Sequence, residues 1–391
     1  MKKLIIVFLL CRLTSLNAEE GIQFFKGAFS EALVQANAQH KLLFIDCYTT
    51  WCGPCKWMSA NVFTDKTVSS SFNQNFICLA LDMEKGEGLN IAKKYSVKNY
   101  PTFLWIDQSG NQVHRSVGST SSGEFLIIAE KAMDPKKNLS YMKSQYETGK
   151  REPELLLNYA SSLKSAYDMS YQTVADEYFR TLPEKDLAEE KNWKAILEFT
   201  PNINSYTYGA MTRMLPSFND RYGKDSVQVV FDELAISSLS FARQQKDSIL
   251  LKKAIAKLKE SNNKELFKQG LSEEMNYYKG NKNYSRYAEL AHDYINNHFL
   301  DDPKMLNAVC WTYFQHINDK NQLAEAEKWI AQSVALEDKY YNTDTYANLL
   351  KKLGKKKEAI EIVNHAIALA KKEGEDFSSS QDLLNDLMNG D

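Results

Sequence analysis

The stretch Ile45-Asp46-Cys47-Tyr48-Thr49-Thr50-Trp51-Cys52-Gly53-Pro54-Cys55-Lys56 decides how this chain is read. The apolar run Leu42 to Ile45 ahead of it has the length and composition of a buried strand. Two cysteines then flank Gly-Pro at the start of a helix-compatible run, Lys56-Trp57-Met58-Ser59-Ala60. Thiols three positions apart at a helix N-terminus can close a small disulfide ring and open it again. The first of them meets the positive end of the helix dipole and the unpaired first-turn amides, which favour thiolate over thiol. Thiolate is the nucleophile of disulfide exchange, so a depressed pKa at Cys52 is what such chemistry needs. Gly53 is expected to let the chain turn tightly, and Pro54 to fix φ where no first-turn amide is required.

Cys-x-x-Cys is also zinc-ligand spacing. A zinc site needs a second pair of ligands, and the chain holds no second Cys-x-x-Cys and no His-x-x-x-His. The spacing therefore favours redox chemistry over a metal site, and neither a metal nor another cofactor is expected.

The 391 residues carry a net charge of −2 and are 43% hydrophobic, which excludes a bulk electrostatic case for nucleic acid or an anionic membrane surface. At this length two to three domains are expected. Residues 1–18 have signal-peptide anatomy: Lys2 and Lys3, an apolar core from Leu4 to Leu10, and a more polar end closing on Ala18. Cys11 sits inside that apolar core behind Leu9 and Leu10, so a lipoprotein anchor is not expected. The mature protein is expected to be exported, periplasmic and soluble. Without Cys11, five cysteines remain (Cys47, Cys52, Cys55, Cys78 and Cys310), which suits one reactive pair and buried thiols better than a disulfide scaffold.

From residue 19 to 133 strands and helices alternate. The spacing predicts a helix over Phe24 to Ala38, strands over Leu42 to Tyr48 and Phe76 to Asp82, and a helix over Leu89 to Tyr95. A hairpin of Thr102 to Ile106 with Gln112 to Val117 follows, then a helix over Glu124 to Met133. This is an α/β sandwich with the dithiol at the carboxyl end of a strand.

Trp51-Cys52-Gly53-Pro54-Cys55-Lys56 is the active-site motif of the thioredoxin family residue for residue, and the segment resembles that family at four landmarks. Asp46, six residues before Cys52, falls on the family's buried carboxylate, which exchanges a proton near the second cysteine. Tyr100-Pro101-Thr102 resembles its cis-proline segment, the edge that pairs with incoming peptide, and Val117-Gly118 its last substrate-contacting loop. The resemblance implies catalysis by Cys52, Cys55 and Asp46, with substrate contacts at Trp51, Gly53, Pro54, Tyr100, Pro101, Thr102 and Gly118. It is strongest towards exported members, through Asn61 to Val68 and Asp82-Met83-Glu84.

Each landmark has a plainer reading beside it. Asp46 on a buried strand has its pKa raised by desolvation, or else it caps a turn. Pro101 is cis, or an ordinary trans proline opening a strand. Trp51 shields the thiols and docks a partner, or merely packs. Cys78 stands where many family members carry a lysine near the buried aspartate, and the absence of that ammonium should raise the proton affinity of Asp46. Cys47 faces the opposite side of the sheet from Asp46, which disfavours a Cys47–Cys78 bridge.

Beyond Asp134-Pro135-Lys136-Lys137-Asn138, read as a boundary, the strand signals stop and residues 134–391 read as helical. A 33-residue period relates Tyr313, Ala326, Ile330 and Val334 to Tyr346, Ala359, Val363 and Ile367. Residues 306–371 resemble the two-helix tetratricopeptide repeat, with Gly354 ending a first helix. The resemblance implies a solenoid that binds peptides or proteins; a helical bundle with no binding role is the alternative. Cys310 is expected in the core.

Taken together the expectation is an exported thiol–disulfide oxidoreductase acting on protein disulfides, reducing rather than oxidising by resemblance of its Gly-Pro pair, and recharged by a membrane thiol donor. The alternative is an adaptor or chaperone-like protein in which the helical repeats recruit partners.

Overall fold

The computed structural model describes residues 21–389, so the signal-peptide reading of residues 1–18 and Cys11 lies outside the described residues. The chain divides into two compact units. The first runs through Pro201 and takes up Ser205–Arg221; the second holds Asn202–Asn204 and Tyr222 onwards.

In the first unit, α1 (Phe29–Ala38) leads into β1 (Leu42–Tyr48), then α2 (Gly53–Asn61), α3 (Lys66–Asn75), β2 (Phe76–Asp82), α4 (Gly88–Lys94), β3 (Thr102–Ile106), β4 (Gln112–Val117) and α5 (Ser122–Met133). The strands form one sheet in the order β2-β1-β3-β4, with β1 parallel to β2 and the other pairs antiparallel. α1 begins five residues later than its spacing predicts, because Phe24 makes a parallel bridge to Cys78 and Phe25 N–H donates to Cys78 O.

Alternation along β1 sends Phe44 to one face and Leu43, Ile45 and Cys47 to the other. The Phe44 face packs on Met58 of α2, Val68 and Phe72 of α3, and Phe125 and Ala129 of α5. Its rings interlock: Phe72 stacks on Phe125 at 4.7 Å and Phe103 meets Phe125 edge-on at 4.9 Å. Leu43, Ile45 and Cys47 pack with Leu79, Leu104 and Ile106 on Ala32 and Ala36 of α1 and Ile91 of α4. The sandwich therefore covers both sides of the sheet.

The turn at Asp134 forms as expected, with Lys137 and Asn138 N–H donating to Asp134 O. Helices α6 (Leu139–Glu147), α7 (Pro153–Ser165), α8 (Tyr171–Thr181), α9 (Glu190–Phe199), α10 (Tyr206–Arg213) and α11 (Leu215–Tyr222) follow, with a 3-10 turn at Glu184–Ala188 before α9. α6 and α7 pack on β4, so the helical stretch after Asp134 is shared between the two units. Leu139 N–H donates to His114 Nδ1, and Ser165 shares a hydroxyl hydrogen bond with Ser116 at 2.9 Å. The face of β4 that carries His114 and Ser116 is therefore covered from within the chain.

The second unit is helical: α12 (Lys224–Gln245), α13 (Ser248–Lys259), α14 (Lys264–Gly280), α15 (Tyr284–Tyr294), α16 (Pro303–His316), α17 (Lys320–Leu336), α18 (Tyr340–Lys352), α19 (Lys356–Glu373) and α20 (Ser378–Asn389). A π-helical turn at Ile295–Phe299 extends α15. Asp247, Asn263, Asn283, Asp302 and Asp319 cap their helices by accepting first-turn amides. Tyr313 of α16 and Ala326 and Ile330 of α17 are buried, as are Ala359, Val363 and Ile367 of α19. Polar links recur at the same spacing: Trp329 to Asn296 and His292 to Glu325 each bridge 33 residues, Lys339 to Glu373 34. Gly354 takes φ +79° just after α18, a conformation that favours glycine and stops the helix. Cys310 is buried, its Sγ 3.2 Å from Ala326 O. No described helix is long and apolar enough to cross a membrane.

Candidate active site

The carboxyl end of β1 leads through Thr49 to Cys52, which is the N-cap of α2 with Pro54 in the first turn. Cys52 and Cys55 are joined as a disulfide, their Cα atoms 5.3 Å apart. Cys55 N–H points at Cys52 Sγ at 3.1 Å. That amide is one of the four that a helix start leaves unpaired, and it is directed at the first sulfur. Both cysteines are largely covered, at 2% and 5% exposure. Gly53 differs from its sequence reading: its φ is not positive, and an added Cβ would meet nothing within 4 Å. The turn is made by the cap at Cys52, so glycine is not required for it.

Asp46 lies on β1 opposite Ala80 and Phe103, on the same face as Phe44, and is 5% exposed. Its Oδ1 has no hydrogen-bond partner, and burial alone pushes its pKa up to about 7. A turn-capping role does not fit a carboxyl oxygen left unpaired inside the sheet. Cys78 pairs with Phe44, two residues along the same face, where it supplies no positive charge. Burial lifts its thiol to about 12. Cys47 faces the other cluster; burial, then the neighbouring Asp46 charge, raise its pKa well above the usual thiol range. Neither is bridged.

Trp51 is 65% exposed, so it does not belong to the core. Its Nε1–H donates to Glu84 Oε2 at 2.9 Å, and its ring meets Tyr100 edge-on at 6.0 Å. The Tyr100–Pro101 bond is cis. Pro101 O accepts the Gly118 N–H at 2.8 Å, which joins two of the expected substrate-facing segments. Thr102 lies elsewhere: it is fully buried between β1 and β4, its hydroxyl on Asn99 O at 2.7 Å, so it braces the loop from inside. Sequence reasoning assigned no role to Glu84, whose place in Asp82-Met83-Glu84 was the available signal. Nor did it single out Thr120, whose N–H points at Met58 Sδ at 3.4 Å. No group of three or more His, Cys, Asp or Glu among the described residues is arranged to hold a metal.

A disulfide across the first turn of a helix, a cis-proline loop in ring contact with the residue before that disulfide, and a buried aspartate on the preceding strand of an α/β sandwich define a thioredoxin-like domain. Residues 25–107 match the family described as Thioredoxin-like, a span that holds Asp46, Cys52, Cys55 and Pro101. Among curated relatives, Thioredoxin-1 of Drosophila melanogaster is 36% identical over 72 residues, 18% of this chain and 63% of that protein. The thiol:disulfide interchange protein DsbD of Pseudoalteromonas atlantica is 31% identical over 90 residues, 22% of this chain and 15% of that protein. The chain thus spans less than two thirds of the length of these two relatives. A solution structure from Bacteroides thetaiotaomicron, provisionally named a disulphide-isomerase, is 47% identical, covering 30% of this chain and 96% of that one with a TM-score of 0.28. Thioredoxin-like proteins generally work through their own cysteine pair, without an external cofactor.

Proposed function

We propose that this protein is an exported thiol–disulfide oxidoreductase that reduces protein disulfides. The observation that carries the reading is the Cys55 amide directed at Cys52 Sγ at the start of α2. In the reduced protein that amide and the helix dipole stabilise a Cys52 thiolate. The thiolate attacks one sulfur of a substrate disulfide; the S–S bond breaks, the other substrate sulfur leaves as thiolate and takes a proton from solvent. Asp46, poised near neutrality by burial, accepts the Cys55 proton. Cys55 then attacks the mixed disulfide at Cys52, releasing the second substrate thiolate and closing Cys52–Cys55. A thiol donor restores the pair with two electrons. We place the protein in the periplasm with a membrane thiol carrier as that donor, on the strength of residues 1–18 and the likeness to an interchange protein.

We assign 19–133 to the redox domain and read the helices beyond it as partner-binding, the last of them tetratricopeptide-like. Polar links at a spacing of 33 and 34 residues support that repeat reading. They also favour the second reading, an adaptor whose helices recruit partners. Insulin reduction separates the two. Wild type should turn insulin over and Cys52→Ser should not; equal rates for both would leave the adaptor. Cys55→Ala should accumulate mixed disulfides with its substrates.

A further inference from the structure

In the second unit α13 and α14 pack against each other, and each turns one stripe of residues towards its neighbour. Helical spacing puts Lys252, Ile255, Ala256 and Lys259 on one face of α13, and Glu274, Tyr277 and Tyr278 on one face of α14. Together these residues line a cleft of about 340 Å³, within the range of roughly 300–1,000 Å³ usual for ligand pockets. Small Ala256 leaves the space open, and buried Ile255 gives it an apolar wall.

The acids around this cleft already have cations of their own. Glu274 takes the Lys259 ammonium, which also donates to the Tyr294 hydroxyl at 2.9 Å. Glu273, next along α14, takes Arg243. Arg286, whose guanidinium lies 6.0 Å from the Tyr278 ring centre, pairs with Glu289 at 2.8 Å, and Lys257 pairs with Glu260 at 2.7 Å. Lys252 is exposed and makes no ion pair among the described residues; its ammonium lies 5.2 Å from the Tyr277 ring centre. The ring holds that charge in place without neutralising it. Two lysines against one glutamate thus leave the cleft with one ammonium in excess. The helix pair is positive as a whole, since residues 248–280 hold seven lysines and four glutamates in a chain of net charge −2. Such a field draws anions towards the cleft.

We propose that the cleft between α13 and α14 binds an acidic side chain of a partner polypeptide. Its carboxylate pairs with Lys252, and an adjoining apolar side chain lies against Tyr277, Ala256 and Ile255. A phosphate is best held by several converging charged donors; one unmatched ammonium beside apolar and aromatic surface suits a single carboxylate. The proposal rests on reading the helices as partner-binding and is independent of the redox chemistry. Because the cleft lies outside residues 306–371, it does not depend on the repeat reading either.

The test pans a phage-displayed library of random peptides on the full chain, then measures recovered peptides in solution by fluorescence anisotropy. Recovered sequences should be enriched in Glu or Asp beside an aliphatic or aromatic residue. Changing that acid to its amide should weaken binding about tenfold, the size of a charge-assisted contact. Lys252→Gln should weaken the acidic peptide by about the same factor and abolish the difference between acid and amide, as a double-mutant cycle requires of two groups in contact. Lys253→Gln removes the same charge one residue away, where the ammonium bonds Asn204 Oδ1 at 3.0 Å, and should change affinity less than about twofold because exposed charges are screened. Ala256→Gln, which fills the cleft without altering its charge, should weaken binding as Lys252→Gln does. Recovered peptides with no acidic preference, or equal losses for Lys252→Gln and Lys253→Gln, would overturn the cleft while leaving the partner-binding reading in place. Recovery of no peptide at all would overturn both.

Discussion

The indole N–H of Trp51 donates to Glu84 Oε2 at 2.9 Å, tying the residue before the first cysteine to the turn after β2. Tyr100 holds the same ring from the side of the proline loop. A large apolar surface is thereby kept exposed and oriented beside the dithiol.

Removing that acceptor should loosen the platform. In Glu84→Ala the Trp51 indole N–H resonance should move and broaden, and KM for insulin should rise about two- to fivefold with kcat little changed, as expected for lost uniform binding. An unmoved indole resonance would show that Glu84 does not hold the ring.

Asp46 makes stability depend on pH in an unusual direction. Its pKa is raised from 3.8 to about 7 by burial, so the folded protein binds this proton more tightly than the unfolded chain. The favourable contribution is present below about pH 4, is lost as pH climbs through 7, and is constant above that. A shift of about three units corresponds to about 4 kcal/mol. Asp46→Asn should therefore be more stable than wild type at pH 8, by up to a few kcal/mol, with the gap narrowing towards pH 4.5. Urea denaturation of the oxidised proteins at both pH values measures it. A gap independent of pH would contradict the burial account.

Phe125 joins α5 to α3 by stacking on Phe72 and to the sheet by meeting Phe103 edge-on, with no exposed surface. Phe125→Ala should cost about 3–5 kcal/mol, the usual loss for a buried aromatic truncated to alanine. A change under about 1 kcal/mol in the urea midpoint analysis would mean that α5 carries little of the core.

The remaining thiols should be inert. Cys47, Cys78 and Cys310 are all buried, and burial raises the pKa of each. In the oxidised native protein none of them should take up a thiol label within the time that denaturant exposes all three. Labelling of Cys78 under native conditions would count against the packing seen around β2.

The sequence announces β1 and the dithiol helix because a continuous apolar run ends in Cys-Gly-Pro-Cys, a pattern few other structures accommodate. It conceals α3, since Lys66–Asn75 is almost wholly polar and only Val68 and Phe72 reach the core. The Asp65 cap, accepting Thr67 and Val68 amides, was the one local mark. α20 is hidden for a related reason: a serine- and aspartate-rich segment buries only Ser380, Leu383 and Leu387. Around the dithiol, the Cys52–Cys55 disulfide follows from their spacing, while the burial of Asp46 and the cis bond before Pro101 are what the family resemblance implies. The burial of His114 on the polar strand Gln112–Val117 is not legible in the strand itself, because it comes from helices later in the chain. Thr102 fails in the opposite sense, since adjacency to Pro101 does not reveal that its side chain turns inward.

Cys52 should be the nucleophile, because the start of α2 stabilises its thiolate. The pH dependence of iodoacetamide alkylation of the reduced native protein, read at each cysteine by mass spectrometry, measures this directly. Cys52 should react first, with a midpoint at least one unit below the free-thiol value of about 8.5. A midpoint at or above that value, or faster reaction at Cys55, would contradict the account.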